Sequence, residues 1–234
     1  MFSSSILDLP RSSVGRKAIV AVTGALLYLF VIGHLAGNLQ IFLGQNALNA
    51  YALKLRHLGG LLWPVRAGLA AVFVTHIVLA LWLAADNRRA RPVGYAKQAT
   101  VRATWASLTM VPTGLAILFF VLFHLAHFTL FAVRPEYAHL HDALGRHDVY
   151  TMVVLSFRSP VMVSFYLAAM FFLLLHLSQA FSGMFQSWGL TDQSKLCCLK
   201  SLSAVLACLV FAGYAAIPLA VQLGWLALPP GVRP

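Results

Sequence analysis

Five stretches of this chain, roughly 17–43, 61–85, 105–132, 160–187 and 197–226, are almost wholly apolar. Each exceeds the roughly 20 residues that one bilayer crossing requires. No water reaches the bilayer core, so the backbone of each stretch must satisfy its own hydrogen bonds, and a helix is how a single segment does so. The remaining composition agrees. Of 234 residues 60% are hydrophobic and only 10% charged, whereas a soluble domain carries about a quarter charged. The expectation is one all-α membrane domain over 1–234, a bundle of five transmembrane helices. Gly44, Asp86–Arg89, Arg134-Pro135 and Gly189 mark the ends of the first four. Pro64 and Pro160 lie near helix starts, where proline is tolerated. Pro112 should kink the third segment or shift its start, and Pro218 lies late in the fifth.

The net charge of +11 would suggest nucleic acid in a soluble protein. Here the cations lie between spans, where they set topology, so no nucleic-acid partner is expected. With the N-terminus inside, ten lysines and arginines fall on the inner side and seven on the outer. The cluster Arg88, Arg89, Arg91, Lys97 and Arg102, in one short loop, decides for N-terminus cytoplasmic and C-terminus outside. The basic inner surface suits anionic lipid heads or an acidic partner subunit. The first apolar run begins after Lys17 and passes residue 40, too long for a signal-peptide core, and reads as a retained helix. Cys197, Cys198 and Cys208 are too few for a disulfide framework, and no Cys-x-x-Cys-His attaches a haem covalently. The 133–158 loop is the longest, and no internal repeat stands out.

Of nine histidines, His34, His76, His124, His127 and His176 fall inside apolar spans. Ionisable groups at membrane depth are costly and usually functional. One alone often only hydrogen-bonds a neighbouring helix, but here four separate helices carry at least one each. Depth sorts them. At about 1.5 Å per residue, His34 lies roughly 25 Å beyond Lys17, near the outer face. His124 is late in the third helix, which also runs outward. His76 and His176 are late in the second and fourth, which run inward. Two levels with two imidazoles each are what two six-coordinate haems require, and bundle interiors are where such cofactors lie. The six acidic residues all lie outside the spans, which argues against a mononuclear metal site and against an ion-coupled transporter. His127, three residues from His124, is the alternative outer ligand, otherwise an interfacial hydrogen bond or a contact of the outer haem. No span carries a ligand for both haems, as a bc-type cytochrome b helix does, so the ligands come one per helix.

The stretches VIGHLAGNLQIFLGQNALNAY (31–51), LLWPVRAGLAAVFVTHI (61–77), FFVLFHLAHFT (119–129), HDVYTMVVLSFRSP (147–160) and FYLAAMFFLLLHLSQAFSGMFQSWGL (165–190) together resemble the single-polypeptide dihaem cytochrome b subunit of bacterial succinate:quinone oxidoreductases, the succinate dehydrogenases and quinol:fumarate reductases. The likeness covers nearly all of the first four helices. It implies two non-covalent, bis-histidine haems b: His76 with His176 for the inner one, His34 with His124 for the outer. It further implies a bacterial inner-membrane location, a flavoprotein subunit bearing FAD, an iron–sulfur subunit on the cytoplasmic side, and menaquinone or ubiquinone as the membrane partner. The dicarboxylate chemistry would lie in those other subunits. Leu174 occupies a position where some dihaem members place a glutamate proposed for proton transfer, so that route is not expected here. Gln179 stands where a second histidine was expected on the fourth helix.

A quinone needs an apolar slot with polar groups at its carbonyls. Near the outer level the candidates are Asn38, Gln40, Tyr51, His57 and Arg66. Near the inner face Arg16, Lys17, Arg88 and Arg89 are candidates for a quinone, haem propionates or a partner subunit. Arg158, at the outer start of the fourth helix, is expected to pair with a propionate of the outer haem. Gly33 and Gly37 form a G-x-x-x-G around His34, suited to close helix packing or to admitting a haem edge. The rival readings are a haem-free anchor for soluble subunits, a transporter, and the cytochrome b subunit of a hydrogenase or formate dehydrogenase.

Overall fold

The computed structural model describes residues 12–90 and 109–230. Among them the fold is all-helical, without a strand, and five helices are long and apolar enough to cross a membrane. The spans are α1 (Ser13–Asn38), α3 (Leu62–Arg89), α4 (Met110–Phe128), α6 (Pro160–Ser187) and α7 (Gln193–Gln222). Two short helices, α2 (Gln45–Arg56) and α5 (Val149–Phe157), lie between spans. Arg11, Arg91, Lys97, Arg102 and Arg233, used above for orientation, and 105–108 of the third apolar stretch, lie outside the described residues.

Local chemistry sets the ends where hydropathy does not. Ser12 accepts from the Gly15 amide at 2.9 Å, so α1 begins before the apolar run. Ser159 accepts from the Met162 amide at 3.4 Å and Pro160 opens α6. Asp192 accepts from the amides of Ser194 and Lys195, both at 3.0 Å, which starts α7 ahead of residue 197. Asp86–Arg89 do not end α3 but stay helical; polar residues that emerge from the apolar layer still keep their backbone bonds. Pro112 lies in the first turn of the described α4, where its missing N–H has no bond to lose.

α6 packs along α7 and also against α4 and α1, α1 packs against α3, and α3 meets α4. The four histidine-bearing spans therefore enclose a shared interior, with α7 outside on α6 and α1. Large apolar side chains such as Leu29, Phe119, Val161 and Leu209 point away from the protein, as a lipid-covered surface requires.

The 133–158 segment is a folded cap. It holds a 3-10 turn (Pro135–His139), a bridge between His141 and His147, and α5, whose residues are nearly all buried. It fastens to α2 through Asn49, itself 1% exposed. The Asn49 amide donates to Asp142 and Asp148, each at 3.0 Å, and its carbonyl accepts from the Tyr150 amide at 3.1 Å. Gln45 adds a 2.7 Å bond to Asp148, and Arg146 pairs with Asp142 at 2.7 Å.

Candidate functional site

Gly24 and Gly114 let two histidines from other helices reach the backbone of α1 and α4. A Cβ at Gly24 would stand 3.2 Å from Cε1 of His76, and one at Gly114 would stand 3.3 Å from Cε1 of His176. Beside each glycine is a threonine. His76 Nδ1 lies 3.1 Å from the Thr23 hydroxyl and 3.2 Å from the Val20 carbonyl. His176 Nδ1 lies 3.3 Å from the Thr113 hydroxyl, and the Met110 carbonyl also bonds this ring. A carbonyl only accepts, so Nδ1 of His76 carries the proton. Each threonine hydroxyl donates back into its own helix, Thr23 to Ile19 at 2.8 Å and Thr113 to Thr109 at 2.6 Å. Its lone pairs are thus left for the histidine. Both imidazoles are held as the Nδ1–H tautomer with Nε2 bare, the form a metal ligand takes. His76 lies within electrostatic reach of His176.

The second couple lies farther along the same helices. His34 of α1 and His124 of α4 meet edge to face, ring centroids 5.9 Å apart. Phe30 stacks on His34 at 5.4 Å, Tyr214 of α7 flanks it at 6.2 Å, and Phe120, Phe128 and Tyr166 surround His124. His124 Nδ1 is buried without a hydrogen-bond partner, an uncommon state for a buried polar atom. From Thr23 to His34, as from Thr113 to His124, is eleven residues. That is close to three turns, so each threonine and histidine share a helix face, about 16 Å apart.

The two helices share more than this spacing. Residues 23–36 and 113–126 both read Thr-Gly-x5-Phe-Val-x2-His-Leu-Ala. An internal repeat is therefore present, contrary to the reading of the sequence alone. The repeat at an offset of 90 residues was the available signal.

The sequence matches no family model and no curated protein.

Two imidazoles per level are a small protein ligand set, and among the described residues no three His, Cys, Asp or Glu side chains gather around one point. A macrocycle that brings four of six ligands to its iron needs only the two. The His34 and His124 rings lie with centroids 5.9 Å apart and planes nearly perpendicular, close enough for both to serve one centre. The unprotonated Nε2 atoms of His76 and His176 are free to bind iron, and at the other level His34 and His124 face each other with no hydrogen bond spent on the His124 ring.

His127 is placed differently. It is 1% exposed, its Nδ1 bonded to the Tyr166 hydroxyl at 2.9 Å and its Nε2 to Ser156 at 3.3 Å. Ser156 donates to the Met152 carbonyl at 2.8 Å and touches the Tyr137 hydroxyl at 3.2 Å. Both His127 nitrogens are thus spent within the protein, tying α4, α5, α6 and the cap together.

The quinone candidates do not converge. The Tyr51 ring packs where a Cβ on Gly37 would be, with its hydroxyl 2.7 Å from that point, so Gly37 serves helix packing, while Gly33 faces open space. His57 is exposed at the end of α2. Arg66 stacks over Trp63 of its own helix at 5.4 Å. Asn38 donates to the His34 carbonyl at 2.7 Å. Arg16 is buried, paired with Asp86 at 2.6 Å and lying 4.7 Å over Trp82, and clasps α1 to α3. Lys17, Arg88, Arg89 and Arg158 are exposed; Arg158 ends α5, its amide bonded to Val154.

Proposed function

We propose that this chain is the dihaem cytochrome b membrane anchor of a succinate:quinone oxidoreductase, set in the bacterial cytoplasmic membrane with its N-terminus inside. It carries electrons between an iron–sulfur subunit and membrane quinone. One observation carries the reading: four spans each contribute a histidine, His34 meeting His124 ring to ring, and His76 and His176 held by Thr23 and Thr113 of those same two helices, about 16 Å away along each. The resemblance stated above supports the choice of complex. Each bound haem supplies a one-electron centre at its level. The protein supplies the ligands, fixes their tautomer at the inner level and wraps both in apolar residues.

In this reading His76 and His176 serve the haem nearer the iron–sulfur subunit, and His34 and His124 the outer one. The flavoprotein subunit, with FAD, holds the dicarboxylate chemistry, and menaquinone or ubiquinone exchanges electrons in the membrane. Tyr51, His57, Arg66 and His127 remain candidates for the surroundings of quinone or outer haem, and Arg158 for a propionate.

Purification of the intact complex tests this. Two protohaems per chain are expected, with a reduced-minus-oxidised b-type band, flavin and iron–sulfur in step. Replacing His76 or His176 by alanine should remove one spectral component, and replacing His34 or His124 the other. A complex with soluble subunits but no haem would leave only an anchor, and haem beside hydrogenase or formate dehydrogenase subunits would reassign the partner.

A further inference from the structure

Threonine and glycine are bland residues in an apolar helix, and each threonine here already satisfies its hydroxyl by bonding back to its own helix. Their placement is not bland. Thr23 and Thr113 stand at matching positions of the repeat, and each offers lone pairs to Nδ1 of a histidine from the partner helix, at 3.1 and 3.3 Å. A carbonyl three residues earlier, Val20 or Met110, approaches the same ring. Gly24 and Gly114 then leave room for the ring edge. The outer histidines show no such arrangement: His124 Nδ1 has no partner.

We propose that Thr23 and Thr113 are positioning residues that fix and polarise the ligands of the inner haem alone, making that level electronically distinct from the outer one. The proposal rests on the dihaem reading. A proton shared toward an acceptor makes the imidazole a more basic ligand. A more basic ligand favours ferric iron and lowers the reduction potential. Two threonines on opposite ligands add their effects, and neither reaches the outer couple, three turns away.

The test is a redox titration of the intact membrane complex, with each haem followed by its visible and low-temperature paramagnetic signals. Thr23→Val and Thr113→Val should each raise the inner potential, alter the inner signal and weaken retention of the inner haem about tenfold. The outer haem should not move, and Thr→Ser at either site should restore the inner values. Gly24→Ala and Gly114→Ala, which keep the hydroxyls but press on the rings, provide a second route if the valine variants fail to assemble; they should disturb the inner signal only. Unchanged inner values in the valine variants, or in the glycine variants where the valine ones fail to assemble, or equal shifts of both haems, would overturn the proposal while leaving the dihaem reading standing. A wild-type complex without haem would overturn that reading instead.

Discussion

Replacing His127 with alanine would strand the hydroxyl of Tyr166, which is 6% exposed, and take a partner from Ser156. A buried polar group left unpaired costs about 1–3 kcal/mol. His127→Ala should therefore lower thermal stability in detergent and, on the dihaem proposal, keep both haems. His124→Ala should lose the outer haem instead. Haem per polypeptide and a melting curve on the two variants separate a structural imidazole from a ligating one, though the rings sit three residues apart on one helix. Sequence made the histidines conspicuous because an ionisable side chain among leucines costs so much to bury. It preferred His124 as the ligand and gave His127 an interfacial hydrogen bond as its other reading, but did not name the bond's partners, which come from α5 and α6, 29 and 39 residues away. Thr23 and Thr113 passed unnoticed for a related reason. A threonine can close its hydroxyl on its own helix anywhere, and its second use shows only once another helix is laid against it.

At the scale of elements, hydropathy located all five spans, since nothing but burial in lipid explains such runs. The short helices escaped. α2 carries Lys54 and Arg56 and is too polar to register as an apolar run, and α5 merged into what read as a long loop. Their positions are set by the Asn49 cluster, which joins side chains about a hundred residues apart. Asn49→Ala should cost about 1–3 kcal/mol by leaving buried carboxylate oxygens and the Tyr150 amide short of partners. The same cluster makes the cap acid-sensitive. Burial alone would raise the pKa of Asp142, but donors from Arg146, Asn49 and the Leu144 amide prevail and hold it at about 2, below its ordinary 3.8. A carboxylate depressed on folding stabilises the fold fully above its unfolded pKa, and that contribution fades as pH falls toward the folded one. The cap should therefore be tight above about pH 4 and loosen toward pH 2. Exchange of the Tyr150 and Thr151 amides, corrected for intrinsic rates, should accelerate over that window in the wild type, and already be fast at neutral pH in the Asn49 variant.

Across the whole molecule, in the proposed complex the direction in which the bundle crosses the membrane decides which couple would meet the soluble subunits, and the native cysteines report on it. Cys197 and Cys198 are exposed in the first turns of α7, and Cys208 is exposed within the same span. The start of α7 follows directly from the end of α6, the end nearer His176, so it belongs to the inner level. Cys208 lies ten residues farther along, about 15 Å deeper, where lipid shields it from a charged reagent. With the N-terminus in the cytoplasm, a membrane-impermeant maleimide should label Cys197 and Cys198 in inverted vesicles washed free of soluble subunits. Intact cells should remain unlabelled, and Cys208 should stay unreacted in both. Labelling of the pair from outside would turn the bundle over. His76 and His176 would then face away from the cytoplasm, and an iron–sulfur subunit docked there would meet the His34 and His124 couple first. That would exchange the roles of the two haems, and the threonine-held level would become the one remote from the soluble subunits.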